Sequence, residues 1–191
     1  MNLNFFQCQN QVISYPSLFP GRGGIFFDRD GTIIEEKNYL SQVKDLYLIT
    51  NQAGIAHGYF TEKQLRLIHL ILADELLKFE IKFRAVFHCP HHPQAELPEY
   101  RSDCFSRKPK PGLLYQAARF DKLNLKHSYI IGDKLSDLEA ERKVGAKTIL
   151  VLTGYGPVEF GKIQPSQKPD FVALNINAAA DWIINQERGN R

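Results

Sequence analysis

Residues 24–33, Gly-Ile-Phe-Phe-Asp-Arg-Asp-Gly-Thr-Ile, narrow the choice of fold more than any other stretch of the chain. An apolar run with no polar interruption predicts a strand buried on both faces, the kind found in parallel sheets covered by helices. The run stops at two carboxylates one residue apart, Asp28 and Asp30, followed by the turn former Gly31. In open α/β sheets ligands bind beyond the carboxyl ends of the strands, so both acids are predicted to stand at a ligand's edge. They can hold a divalent cation and leave an oxygen to attack. The plainer alternative is an Asx-rich turn helped by a glycine.

The pattern repeats. Residues 46–50, 85–88, 129–133, 148–152 and 171–173 are further short apolar runs, predicted as strands. Between them Thr61 is predicted to cap a helix reaching about Glu80, with Leu65, Ile68, Leu72, Leu76 and Phe79 as its apolar stripe. Residues 112–121 and 178–186 predict helices, as does a segment capped by Ser136 and ending near Val144. Strands alternating with helices imply an α/β fold, a parallel sheet with helices on both faces. Residues 1–23, broken by Pro16, Pro20 and two glycines, read as an irregular extension preceding a domain at 24–191.

Bulk properties exclude several classes of function. A length of 191 residues with 43% hydrophobic and 24% charged residues fits one globular domain. A net charge of +3 is too small to argue for nucleic acid, yet it suits a small anionic substrate. No apolar run approaches the roughly 20 residues of a membrane span, and Met1 to Phe6 lack the basic start of a signal peptide. The expectation is a cytoplasmic protein with neither membrane nor nucleic-acid partner. Three cysteines, an odd number, argue against a disulfide framework.

Several strand and loop ends carry polar groups of complementary kinds: Asp28 and Asp30, Thr50 and Asn51, Lys108, and Asp133 with Asp137. A parallel sheet gathers such ends at one edge. Phosphoryl transfer to a carboxylate needs this set. Mg²⁺ takes one or two carboxylates and a phosphate oxygen. One acid attacks phosphorus, a second shuttles the proton, and an amine and a hydroxyl neutralise the equatorial oxygens.

On these residues the chain resembles the haloacid-dehalogenase-like (HAD-like) phosphatases. More closely, Asp-Arg-Asp-Gly-Thr, Thr-Asn-Gln-Ala-Gly-Ile-Ala, Cys-Pro-His-His-Pro, Arg-Lys-Pro-Lys-Pro-Gly and Gly-Asp-Lys-Leu-Ser-Asp resemble the D,D-heptose 1,7-bisphosphate phosphatases and the related histidinol-phosphatases. The likeness spans roughly residues 24–190 and implies a Rossmann-like HAD fold. It implies Asp28 as nucleophile, Asp30 as general acid/base, and Thr50 and Lys108 as stabilisers of the phosphoryl group. Mg²⁺ would be held by Asp28, the Asp30 carbonyl and Asp133. Tyr39, Asn51, Gln52, Arg107 and Lys134 would meet the substrate, a small phosphorylated sugar. Histidinol phosphate, or phosphosugar binding without catalysis, are the alternatives. The protein is expected as a monomer or weak homo-oligomer.

In the resembling family the Cys-rich loop, here residues 89–111, binds structural zinc through Cys-x-His and Cys-x-Cys. Cys89, His91 and Cys104 match, but Ser106 stands at the last position. His92, His88 or a water could complete the shell; the alternative is a loop with two buried thiols. Cys8 lies outside this pattern.

The interval from Asp30 to Thr50 carries no helical stripe. Against the resembling family about twenty residues are missing there, the length of a helix with its loops. The first crossover helix is therefore expected to be absent, leaving a patch of sheet for residues 1–23 or a partner subunit to cover.

Overall fold

A computed structural model describes residues 10–11, 23–30 and 44–189. The predictions for Tyr39, for the rest of the 31–43 segment, for Cys8 and for most of the N-terminal extension lie outside these residues.

The predicted strands form. The elements are β1 (Asn10–Gln11), β2 (Ile25–Phe27), β3 (Leu46–Asn51), β4 (Phe83–Cys89), β5 (Tyr129–Gly132), β6 (Lys147–Val151) and β7 (Phe171–Ala173). They make one sheet in the order β1-β4-β3-β2-β5-β6-β7. Strands β2 to β7 are parallel, and β1 pairs antiparallel on the outer edge of β4, Asn10 opposite Phe87. No periodicity announces a two-residue strand; β1 is defined by the edge it pairs with.

Period-two alternation sends each strand's side chains to both faces. Phe26, Tyr47, Ile49, Phe87 and Ile130 point to one face, and Ile25, Phe27, Leu48, Val86 and Ile131 to the other. Helices α3 (Gly112–Asp121) and α4 (Leu135–Arg142) cover the first through Leu113, Leu114, Ala117 and Ala140. Helices α2 (Glu62–Leu77) and α6 (Ile176–Gly189) cover the second through Leu72, Leu76, Ala179 and Ile183. Each fully buried Phe, Ile or Leu contributes about 1.5–3 kcal/mol. Two short helices, α1 (Ala53–Ala56) and α5 (Gly156–Phe160), arise in stretches for which the sequence predicted no helix.

Two predicted details need correction. Thr61 does cap α2, in a reciprocal capping box with Gln64. Its buried stripe, however, runs through Leu65, His69, Leu72 and Leu76, while Ile68 and Phe79 are exposed. Residues 67–72 are so uniformly apolar that hydrophobicity alone does not set the phase of the stripe. The helix ends at Leu77, and Glu80 takes φ +60° beyond it. Helix α4 starts at Leu135, so Ser136 sits inside its first turn instead of capping it. Asp137 serves the early amide: its Oδ2 accepts from the Lys134 N–H at 3.2 Å.

From β2 the chain steps outward to β3 and β4, and from β5 outward the other way to β6 and β7. The order reverses between β2 and β5, where an open α/β sheet opens its ligand crevice. Asp28 and Asp133 follow these two strands directly. Among the described residues no helix is long and apolar enough to cross a membrane.

Candidate active site

The strand ends converge as predicted. Lys108 Nζ lies 2.7 Å from Asp28 Oδ1 and 2.8 Å from Asp137 Oδ1, and donates to the Ile49 carbonyl at 3.2 Å. Asp28, Asp133 and Asp137 bring carboxylate oxygens within 4.8 Å of one another, all buried. The ammonium thus bridges the acid that follows β2 and an acid in the first turn of α4. Gly132 permits this closeness: a Cβ there would stand 2.6 Å from Asp137 Oδ2.

Lys108 is held from behind. The Asn51 side chain donates through Nδ2 to the Lys108 carbonyl and accepts through Oδ1 from the Lys108 N–H, each at 3.1 Å. Expected at the substrate, Asn51 therefore fastens the lysine loop to the tip of β3 with both ends of its amide. Gln52 is buried and bridges two other predicted groups, donating from Nε2 to Thr50 Oγ1 at 2.8 Å and to Asp30 Oδ2 at 3.3 Å. The Asp30 carboxylate is half-exposed and also paired with Arg29 at 2.8 Å. It stands apart from the buried acids, where an acid/base group can meet solvent.

Electrostatics follow from burial. Desolvation pushes the Asp133 carboxyl up, opposed by the Tyr155 N–H, which donates to its Oδ2 at 2.9 Å, and reinforced by the charge of Asp28. Asp137 is pushed up by burial and by Asp28, against the pull of Lys108. Burial works against the Lys108 charge, but Asp137 and Asp28 outweigh it and hold the ammonium above its ordinary range. Three acids to one amine leave excess negative charge. Asp133 Oδ1 is buried with no hydrogen-bond partner among the described residues. Oxygen donors, excess charge and an unanswered oxygen fit a hard divalent cation such as Mg²⁺.

The role of Asp137 went beyond what its sequence motif assigned. The signal was there: Asp133 and Asp137, four residues apart across a helix start, share one face. Lys134 places its ammonium 4.5 Å from the Tyr155 ring centroid, at the rim. Arg107 donates from Nη1 to the His91 carbonyl at 3.0 Å, turning toward the Cys-rich loop. In that loop Cys89, His91 and Cys104 put their donor atoms within 4.8 Å of one another, all buried. Their soft sulfur and imidazole donors fit zinc in kind and fill three of its four usual corners.

Residues 105–179 match the HAD-hydrolase-like family. The chain is 37% identical to a D-glycero-alpha-D-manno-heptose-1,7-bisphosphate 7-phosphatase of Photorhabdus laumondii over 151 residues, covering 68% of this chain and 82% of the relative. It is 34% identical to a D-glycero-beta-D-manno-heptose-1,7-bisphosphate 7-phosphatase of Salmonella typhi over 183 residues, covering 84% and 89%. A crystal structure of D,D-heptose 1,7-bisphosphate phosphatase from B. bronchiseptica, complexed with magnesium and phosphate, superimposes with a TM-score of 0.74 at 27% identity, covering 86% of this chain and 99% of that one. With its strand-end acids gathered as a phosphatase of this kind requires, the chain belongs to the heptose-bisphosphate phosphatase branch of the HAD-like phosphatases.

Proposed function

We propose that the protein removes the 7-phosphate from D-glycero-D-manno-heptose 1,7-bisphosphate through an aspartyl-phosphate on Asp28. The observation that carries this reading is the buried contact of Lys108 with Asp28 and Asp137 at the switch point. Asp28, Asp133 and the Asp30 carbonyl would hold Mg²⁺, which would supply positive charge against the phosphate oxygens.

Asp28 attacks phosphorus with one carboxylate oxygen, and the bond from phosphorus to the sugar oxygen breaks. Asp30 gives its proton to the departing alkoxide. Asp30, now ionised, takes a proton from water, which attacks the phosphoryl-aspartate and releases inorganic phosphate and free Asp28. Lys108 holds Asp28 in place through their 2.7 Å contact, and with Thr50 neutralises the equatorial oxygens. Asn51 and Gln52 keep Lys108, Thr50 and Asp30 in register. Lys134, Arg107 and Tyr39 would meet the second phosphate and the sugar.

Phosphate release from each anomer of the bisphosphate, beside histidinol phosphate, tests the reading. A kcat/KM at least 100-fold higher on one heptose anomer is expected; a preference for histidinol phosphate would overturn it.

A further inference from the structure

We propose that Cys89, His91 and Cys104 bind one zinc-class divalent ion through three protein donors only, with solvent as the fourth, because Ser106 is tied into the protein by Gln116 instead of reaching the metal. This inference is independent of the phosphatase reading.

The three donors are 0–6% exposed, and Cys89 Sγ lies 3.9 Å from His91 Nδ1. Tetrahedral zinc with its usual bond lengths sets such an S···N edge at about 3.6 Å. The Ser106 N–H donates to Cys104 Sγ at 3.4 Å, the kind of bond that steadies a ligating thiolate. Ser106 thus stands where a second thiolate of a Cys-x-Cys pair would. Its Oγ accepts from Gln116 Nε2 on α3 at 2.8 Å. The loop presses on α3 at the same point: a Cβ on Gly112 would lie 2.6 Å from the Phe105 carbonyl oxygen. A hydrogen bond to α3 therefore anchors the loop end that a fourth metal bond would otherwise anchor.

The two histidines near the loop have other surroundings. His92 Nδ1 accepts from the Gln94 N–H, and the ring packs against His57. The ring of His88 meets His69 of α2 edge-on, on the opposite face of the sheet from Cys89. Two thiolates and a neutral imidazole cancel the charge of the ion, and three protein donors plus water make the composition of an open zinc site.

The test uses the full chain loaded with Co²⁺ alone. Wild type is expected to bind one equivalent at the thiol site, counted by the near-ultraviolet charge-transfer absorption of two thiolates, which the acid cluster does not produce. Ser106→Ala should leave that spectrum unchanged, and Ser106→Cys should raise the charge-transfer absorbance about 1.5-fold, as a third thiolate joins. Azide should shift the visible bands of wild type and not those of Ser106→Cys. The inference is overturned by failure to bind one Co²⁺, by a wild-type intensity already that of three thiolates, or by loss of the spectrum in Ser106→Ala. Folding of each variant is checked by circular dichroism, and the wild-type azide shift decides the matter should Ser106→Cys not fold.

Discussion

Two buried polar clusters border the same end of the sheet, and they are completed differently. The acid cluster is assembled from three separate segments and holds its own cation: Lys108 touches Asp28 and Asp137, and Asn51 grips the lysine's backbone. The thiol cluster comes from the end of β4 and the loop that follows, and that loop is tied down by the Ser106–Gln116 hydrogen bond. On the proposed reading the first serves charge that changes during a reaction, with compensation supplied beforehand by the protein itself. The second is built to hold a loop, and a hydrogen bond can share that task with a metal.

Breaking the first cluster should therefore cost far more than breaking the second. Lys108→Met is expected to lower kcat by about 10³-fold, read as phosphate release at saturating Mg²⁺. It should also lower stability by roughly 3–5 kcal/mol in denaturant titration, because two buried acids lose their amine. Ser106→Ala, assayed beside it, should stay within about threefold of wild-type kcat. Equal losses in the two variants would erase the contrast.

A smaller effect belongs to the scaffold next to the acids. His69 and His88 lie buried between α2 and β4, with their rings 6.1 Å apart. Burial, then Arg29, lowers His69 to about 3, and burial lowers His88 as well. Both stay neutral in the folded state while the unfolded chain takes up protons near pH 6.5. Their contribution to stability is thus complete above pH 6.5 and fades as pH falls toward the folded values. For His69 the loss amounts to on the order of 3 kcal/mol by pH 4. Denaturant midpoints measured from pH 7 to 4 should fall, and His69→Leu should flatten that fall. An unchanged slope in the variant would show that other groups govern acid sensitivity.

The smallest expected effect sharpens the role of Asn51. Asn51→Ala should lower kcat about tenfold with little change in KM, since it acts by placing Lys108. A rise in KM alone would return Asn51 to the substrate contacts that the sequence suggested.

What could be read from the chain depended on range. Strands buried on both faces announce themselves as uninterrupted apolar runs, so all six parallel strands and the acids at their tips were legible. Partners distant in sequence were not. Nothing near Asn51 points to Lys108, 57 positions on, and nothing near Ser106 points to Gln116 on the next helix. Helix phase was legible only where polarity varied: His69 faces inward from a run of leucines and isoleucines that hides it. The short α1, α5 and β1 are defined by what they pack or pair against, which local sequence does not carry.

The central claim is that Asp28 forms the bond to phosphorus inside a preassembled site. Phosphate release from heptose 1,7-bisphosphate with saturating Mg²⁺, comparing wild type with Asp28→Asn, tests it most directly. The account predicts a loss of at least about 10⁴-fold with circular dichroism unchanged. A folded Asp28→Asn variant within tenfold of wild type would contradict it.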